Sequence, residues 1–341
     1  MKIIKSLVSA AIGATALFAA CTPSVPTSYT VTGILPDSSL NGKEVVMRPT
    51  MAQEIVASTT VNGNKFTIEG VADSAMIAMI YIKDTPKFGL LILENGNITL
   101  DLTTADKGAA YADGTENNKT MREILAVCDT IAKENVKTES AKWFAKHNND
   151  IMGAFLFTSP LFHALDDETK LATAENFGEY LKNLEFVQEK IKVLKGKIAT
   201  APGKQFVDFS GTDVEGKVVK LSDYVGKGNY VVVDMWASWC GPCKREIPNL
   251  AEINNLYKDK GLTVLGIFVW DDVKNLQPSM KAEGITWPQI IDSEKCATAP
   301  YGVDGIPAIM LFGPDGTILE RGSSMRGENM KNTVEKYLLK K

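Results

Sequence analysis

Two cysteines three positions apart, Cys240 and Cys243, are the residues of this chain best suited to chemistry. They flank Gly241 and Pro242, and they fall where the apolar run 229–235 gives way to a helical texture from residue 243 onward. A sulfur at a helix N terminus meets free backbone N–H groups and the positive end of the macrodipole, which favour an anion. The thiolate is the attacking species in disulfide exchange, so this placement lowers the thiol pKa and activates it. A second thiol with two residues between it and the first can attack the mixed disulfide that the first one forms. Cys240 is therefore read as nucleophile and Cys243 as resolving thiol, with Gly241 and Pro242 supplying the turn and first helical residues. The same spacing can be half of a zinc site, but a second Cys pair or a Cys/His pair would be needed. The remaining cysteines are Cys21, Cys128 and Cys296, and the two histidines, His147 and His163, are isolated. Neither a metal nor a cofactor is expected.

Two carboxylates lie close by. Asp234 stands six residues before Cys240 and interrupts an apolar run between Val233 and Met235. A carboxyl in a buried strand has a raised pKa and could take the proton of Cys243; the alternative is an aspartate facing solvent at a strand end. Glu246 is three residues after Cys243, on the same helix face. Lys244 and Arg245 beside it make a solvated charged face an equal alternative.

The elements that must hold these residues read as three regions. Residues 201–341 alternate strands and helices: strands at 229–235, 262–269, 308–312 and 317–320, and helices at 243–260, 273–283 and 328–339. This is an α/β domain with a central sheet covered by helices. Residues 29–104 carry short alternating strands and Asn-Gly turns, which predicts a β-rich, sandwich-like domain. Residues 105–200 read as helical. Phe177, Leu181, Leu184, Val187, Ile191 and Leu194 recur at spacings of three and four, which predicts one amphipathic helix. Trp143, Phe144, Phe155, Phe157 and Phe162 read as its core. Cys128, in an expected helix at 121–131, also reads as core, and Cys296 as a small packed side chain, with a third redox thiol as the alternative.

The segment 231–248, VVVDMWASWCGPCKREIP, resembles the active-site segment of thioredoxin-fold proteins, close to the TlpA/ResA-like envelope branch. Gly305-Ile306-Pro307-Ala308 is similar to that family's cis-proline loop, and the lead-in 201–223 also fits the branch. The resemblance covers about residues 201–341 and implies a thioredoxin-like fold. It implies that Pro307 is cis and faces the cysteines; the alternative, which the active-site motif disfavours, is a proline merely ending a loop before a strand. It further implies that the backbone of Ile306 pairs with a substrate chain, that Asp234 matches a buried aspartate, and that Glu246 matches a glutamate tuning the thiols. Trp239, with Gly241 and Pro242, would contact partners. Pro248 matches a helix-kink proline, and Ala308 stands where many thioredoxins have threonine. Residues 266–269, Gly-Ile-Phe-Val, lie where thioredoxins often carry a lysine. The β-rich region resembles a domain of unknown function found ahead of thioredoxin-like domains in exported lipoproteins.

The first residues read as a targeting segment: Lys2 and Lys5, then an apolar run at 7–19 shorter than the roughly 20 residues of a membrane span. Leu17-Phe18-Ala19-Ala20-Cys21 resembles a bacterial lipobox, which implies a signal peptide at 1–20, lipidation of Cys21 and a tether at 21–28; an ordinary cleaved signal is the alternative. The protein is thus expected on the periplasm-facing side of the cell envelope, on the inner or outer membrane. There are 37 basic and 41 acidic side chains, and loss of Lys2 and Lys5 takes the net charge from −4 to −6, which opposes nucleic-acid binding. The function read from all this is a thiol–disulfide oxidoreductase. By the resemblance it reduces disulfide-containing exported proteins, as in cytochrome c maturation, with electrons from a membrane thiol donor. The rivals are a thioredoxin-fold peroxidase and an envelope binding or scaffold lipoprotein with a vestigial redox domain. Against the peroxidase, Val233 and Ala237 occupy the positions of Pro and Thr in its P-x-x-x-T-x-x-C signature.

Overall fold

The computed structural model describes residues 25–103, 109–292 and 296–339. The leader and Cys21 lie outside the described residues. The chain divides into two compact units, Met1–Lys119 and Thr120–Lys341. Among the described residues no helix is long and apolar enough to cross a membrane.

The first unit contains β1 (Tyr29–Ile34), β2 (Glu44–Pro49), β3 (Ala57–Thr60), β4 (Lys65–Gly70), β5 (Met76–Ile82), β6 (Phe88–Leu93), β7 (Gly96–Asp101) and β8 (Ala110–Tyr111). They form a three-stranded sheet, β4-β1-β7, and a five-stranded sheet, β3-β2-β5-β6-β8. Alternate residues of the first sheet, such as Val31, Phe66, Ile68, Ile98 and Leu100, share one core with Val45, Met47, Ile80 and Leu91 of the second. The period-two alternation seen in the sequence is therefore the inner face of a sandwich.

The second unit begins with helices. These are α1 (Glu116–Thr130), which starts in the first unit, α2 (Val136–Lys146), α3 (Ile151–Phe157), α4 (Pro160–His163), α5 (Asp167–Glu175), α6 (Glu179–Lys182) and α7 (Glu185–Ala199). Phe144, Phe157, Phe162 and Phe177 pack ring to ring as their core. The single helix expected over 177–194 is instead two, because Leu184 has extended backbone (ψ 123°) and Gly178 caps α6 with ψ 175°. Side chains support the break. Asn149 Oδ1 accepts the Tyr180 N–H at 2.8 Å, and Gln188 Nε2 donates to the Lys182 carbonyl at 2.9 Å. The apolar stripe runs across the break, which is why its periodicity hid it. Cys128 is likewise only half-buried rather than core. It continues the stripe of buried Met121 and Ile124, but near the end of α1, where solvent reaches it.

The rest of this unit is β9 (Ser210–Thr212), β10 (Val218–Lys220), β11 (Tyr230–Trp236), α8 (Gly241–Tyr257), β12 (Leu262–Val269), α9 (Leu276–Glu283), β13 (Gln289–Asp292), β14 (Ala308–Phe312), β15 (Ile318–Arg321) and α10 (Glu328–Leu338). The sheet order is β10-β9-β13-β12-β11-β14-β15. The central strands β11, β12 and β13 are parallel, and β14 runs antiparallel to β11. Covered on both faces, β11 and β12 are apolar almost throughout. On one face Val232, Trp236, Val264 and Phe268 meet Cys243, Ile247, Leu250 and Ile253 of α8 and Met330 and Val334 of α10. On the other, Val231, Val233, Leu265 and Ile267 meet Phe209, Leu221 and Tyr301.

Helix α7 closes directly on the loop that leads into β14. Gly302 (φ +58°) lies so near α7 that a Cβ there would stand 2.2 Å from the Val193 carbonyl oxygen and 2.5 Å from the Lys197 nitrogen. Gly302→Ala therefore combines backbone strain with a backbone clash and should destabilise the protein by roughly 2–4 kcal/mol. Urea denaturation should show this as a lower midpoint, and an unchanged midpoint would mean that α7 is not seated on the loop.

Candidate functional site

Strand β11 ends at Trp236, a short turn follows, and Cys240 becomes the N-cap of α8. Its sulfur accepts the Cys243 N–H at 3.1 Å, which satisfies one of the free donors of the first turn. The two sulfurs form a disulfide of 2.03 Å. Both cysteines are buried, whereas Gly241 and Pro242 are exposed and Trp239 is 60% exposed. The centre is thus a covered sulfur pair with an open rim.

Alternate residues of a strand share a face, so Asp234 lies between Val232 and Trp236 on the α8 side of the sheet. It is 2% exposed, and its Oδ1 has no hydrogen-bond partner among the described residues. Burial pushes its carboxyl up to about 7; the Arg326 guanidinium opposes this, and Glu246 adds to it. The neighbouring strands place Gly266 and Ile309 in register with it. Gly266 has room only for the side chain of Gln289: a Cβ there would lie 2.1 Å from Gln289 Oε1. That oxygen accepts the Trp236 indole N–H at 2.9 Å, and Gln289 Nε2 donates to the Trp287 carbonyl.

Glu246 is half-buried, and its carboxylate is held: Oε2 accepts the Gly327 N–H at 2.9 Å and Asn249 Nδ2 at 3.1 Å. Its neighbour Lys244 pairs instead with Glu283 at 3.2 Å. The Ile306–Pro307 peptide is cis. Ile306 packs against the core that contains Cys240 and Cys243, and the Pro307 carbonyl accepts a hydrogen bond from Arg326 Nη2. Cys296 is half-buried and packs on the opposite core.

Three supports were not read from the sequence. Asp271 Oδ2 accepts both the backbone N–H and the hydroxyl of Ser238, and Oδ1 accepts Asn275 Nδ2. Burial raises the Asp271 carboxyl, but these hydrogen bonds outweigh it and hold it below the usual carboxylate range. Next to it, Trp270 adopts φ +55°, a strained conformation for a bulky residue, and its carbonyl accepts the Trp239 indole N–H at 3.1 Å. The second support is Asp304, three residues before Pro307. Lys190 and Lys197 of α7 reach it at 3.0 Å each. Arg321, the third, donates to the carbonyls of Thr200 and Tyr301. A cleft of about 470 Å³ opens here, bounded by Gly305, Pro307, Ala308, Lys197 and Arg321. A polar residue two positions after a buried strand was the only sequence signal for Asp271; the contacts that α7 and Thr200 make with Asp304 and Arg321 span a hundred residues or more.

A Cys-x-x-Cys pair between a central strand and a helix, in this sheet order and with a cis-proline at the start of the adjacent strand, defines a thioredoxin-fold thiol–disulfide centre. Residues 202–321 match the AhpC/TSA family, and residues 29–121 match a domain of unknown function, DUF4369. Thiol-disulfide oxidoreductase ResA of Geobacillus thermodenitrificans is 32% identical over 140 residues, 41% of this chain and 79% of its own. ResA of Bacillus thuringiensis (strain Al Hakam) is 33% identical over 138 residues, 40% and 77% respectively. Among solved structures, the thioredoxin domain of a thiol-disulfide oxidoreductase from Bacteroides vulgatus is 32% identical with a TM-score of 0.38, covering 40% of this chain and 98% of that one. The chain belongs to the ResA-like thiol-disulfide oxidoreductases.

The buried carboxyl makes stability depend on pH. Folded, Asp234 keeps its proton up to about pH 7; unfolded, only up to about 3.8. Folding therefore takes up a proton between these values, and stability falls as pH rises through that window, by on the order of 4 kcal/mol. Asp234→Asn should remove this decline and leave the variant more stable than the parent at pH 8. Urea denaturation of both oxidised proteins at pH 4.5 and pH 8 measures it; equal slopes would assign the effect to another group.

Proposed function

We propose that this oxidoreductase works in the cell envelope, anchored through Cys21, and reduces disulfides of exported proteins with the Cys240/Cys243 dithiol. The Cys240 thiolate attacks a substrate disulfide, forming a mixed disulfide and releasing one substrate thiolate. Cys243 passes its proton to Asp234 and attacks the Cys240 sulfur. The substrate leaves with its second thiolate, the protein holds a disulfide, and two electrons have moved to the substrate. A membrane thiol donor restores the dithiol. The Ile306–Pro307 backbone holds the substrate chain, Trp239, Gly241 and Pro242 form the rim it touches, and Glu246 tunes the site. The substrates are disulfide-containing exported proteins, with an apocytochrome as one candidate.

The observation that carries this reading is the paired sulfurs at the N terminus of α8, on the face of the sheet that also holds a buried, unpartnered carboxyl. A helix N terminus favours the thiolate, and a carboxyl near pH 7 can both accept and return a proton. The AhpC/TSA match favours a peroxidase as second reading. Val233 and Ala237 supply neither the proline nor the hydroxyl of the peroxidase signature, and both are buried.

The midpoint potential of the pair, equilibrated against dithiothreitol buffers, tests the direction. A value near that of thioredoxin, about −270 mV, is expected; one near about −120 mV would make the protein a disulfide donor. Cys240→Ser should lower turnover on a disulfide substrate by about a thousandfold or more, and Cys243→Ser should accumulate the mixed disulfide on a non-reducing gel. Rapid peroxide consumption in stopped flow would instead favour the peroxidase.

A further inference from the structure

The cleft of about 470 Å³ beside the cis-proline falls in the size range of ligand pockets, roughly 300–1000 Å³, and the proposed reaction makes no use of it. One border is the loop 304–307, along which a substrate chain would lie; others are α7 and the end of β15. Gly305 is exposed, and a Cβ there would meet nothing within 4 Å, so this side of the loop is open to a passing chain. The charges around the cleft do not cancel. Asp304 is shared, because Lys190 Nζ and Lys197 Nζ each reach it at 3.0 Å. Asp167, at the start of α5, is paired with Lys170 at 3.4 Å. Arg321 has no carboxylate in hydrogen-bond contact among the described residues: its guanidinium donates to the carbonyls of Thr200 and Tyr301 and to the Thr200 hydroxyl. It is half-buried, and burial lowers its pKa against the pull of Asp167 and Asp304. The balance leaves Arg321 and one of the two lysines uncompensated, in a chain whose net charge is −4.

We propose that this cleft is a subsite for an acidic side chain of the substrate: an aspartate or glutamate enters it as the substrate chain runs off the Ile306–Pro307 backbone, and Arg321 and Lys197 receive its carboxylate. The proposal rests on that loop as the substrate dock, and it adds the class of substrate: exported proteins with a carboxylate a few residues from the disulfide. Asp304 precedes Pro307 by three residues, which is about 10 Å of extended chain. Hydrogen bonds from a guanidinium or an ammonium to a carboxylate are roughly twice as strong as neutral ones. Arg321 is already held by its backbone acceptors, so little side-chain freedom remains to be lost when an anion arrives. Partial burial lowers the effective dielectric and strengthens the attraction. Asp304 opposes the ligand, but its two lysines offset it. Such a cleft selects among partners, because a cationic residue in the same place is repelled. One of its two receiving cations, Lys197, comes from α7, ahead of residue 201. The subsite therefore belongs to this chain's helical segment as much as to its thioredoxin-like core.

The test compares three disulfide peptides that carry Glu, Gln or Lys at the positions about three to five residues to either side of the cysteine and are otherwise identical. The mature full-length protein should turn over the Glu peptide with a KM about tenfold below that of the Gln peptide and with kcat unchanged. The Lys peptide should be the poorest, and added salt should shrink the differences. The net negative charge of the protein would by itself favour the Lys peptide, so this order reports the cleft. Lys197→Gln and Arg321→Gln should each reduce the Glu-over-Gln advantage about threefold, and Asp304→Asn should increase it, whereas a loosened loop would shift KM for all three peptides alike. If Arg321→Gln does not fold, Lys197→Gln and Asp304→Asn still carry the two opposite changes. Equal KM for the three peptides in the parent protein, or a Glu preference that survives both cation variants, overturns the proposal. Fluorescence anisotropy with the same peptides, serine replacing cysteine, gives the preference without turnover. A Glu preference in binding with no reduction of any peptide would end the reductase reading and keep the subsite; reduction without that preference would do the reverse.

Discussion

A carboxyl group in the middle of a dry sheet is the constraint around which this site is arranged. Asp234 lies on the same face as the valine and tryptophan two residues either side of it. An isolated charge there would cost several kcal/mol, so the group rests near neutrality and its ionisation becomes sensitive to each neighbour. That sensitivity explains why the surroundings are so sparse in charge. The next strand offers a glycine, the one beyond it an amide already committed to two hydrogen bonds, and the nearby glutamate is tied to backbone and asparagine. A group so placed changes its charge within the range where thiols exchange.

Around this centre the covering elements divide the work. Helix α8 supplies the sulfurs and the dipole. The turn after β12 holds Ser238 and Trp239, just before the first sulfur, through Asp271 and the Trp270 carbonyl. The end of the chain reaches back to the proline loop. Each contact is modest alone, since a single hydrogen bond contributes about 1 kcal/mol net. Together they leave the exposed rim as the part of the centre open to a partner.

The sequence made the local part of this legible. Cys240, Cys243 and Asp234 stand within ten residues, and a Cys-Gly-Pro-Cys run between a buried strand and a helix carries its own physical meaning. Pro307 was found through the resemblance of its short loop, and the sandwich through strict alternation. What stayed hidden has one cause in common. Arg326, Gln289 and Asp304 act through tertiary contacts between residues 19 to 114 positions apart, and nothing in their own neighbourhoods distinguishes them from surface or core residues. The break between α6 and α7 escaped for a different reason: periodicity reports which side is buried, not whether the backbone continues.

The clamp from α7 also bears on what should be regarded as the catalytic domain. The resemblance to thioredoxins begins near residue 201, which invites a cut there. Yet Lys190 and Lys197, which hold Asp304 ahead of the cis-proline, and Thr200, which accepts Arg321, all lie before that cut. A fragment starting at the apparent boundary would keep both sulfurs and lose the residues that hold the cis-proline loop. The working enzyme module is therefore longer than the fold that names it, and α7 belongs to it.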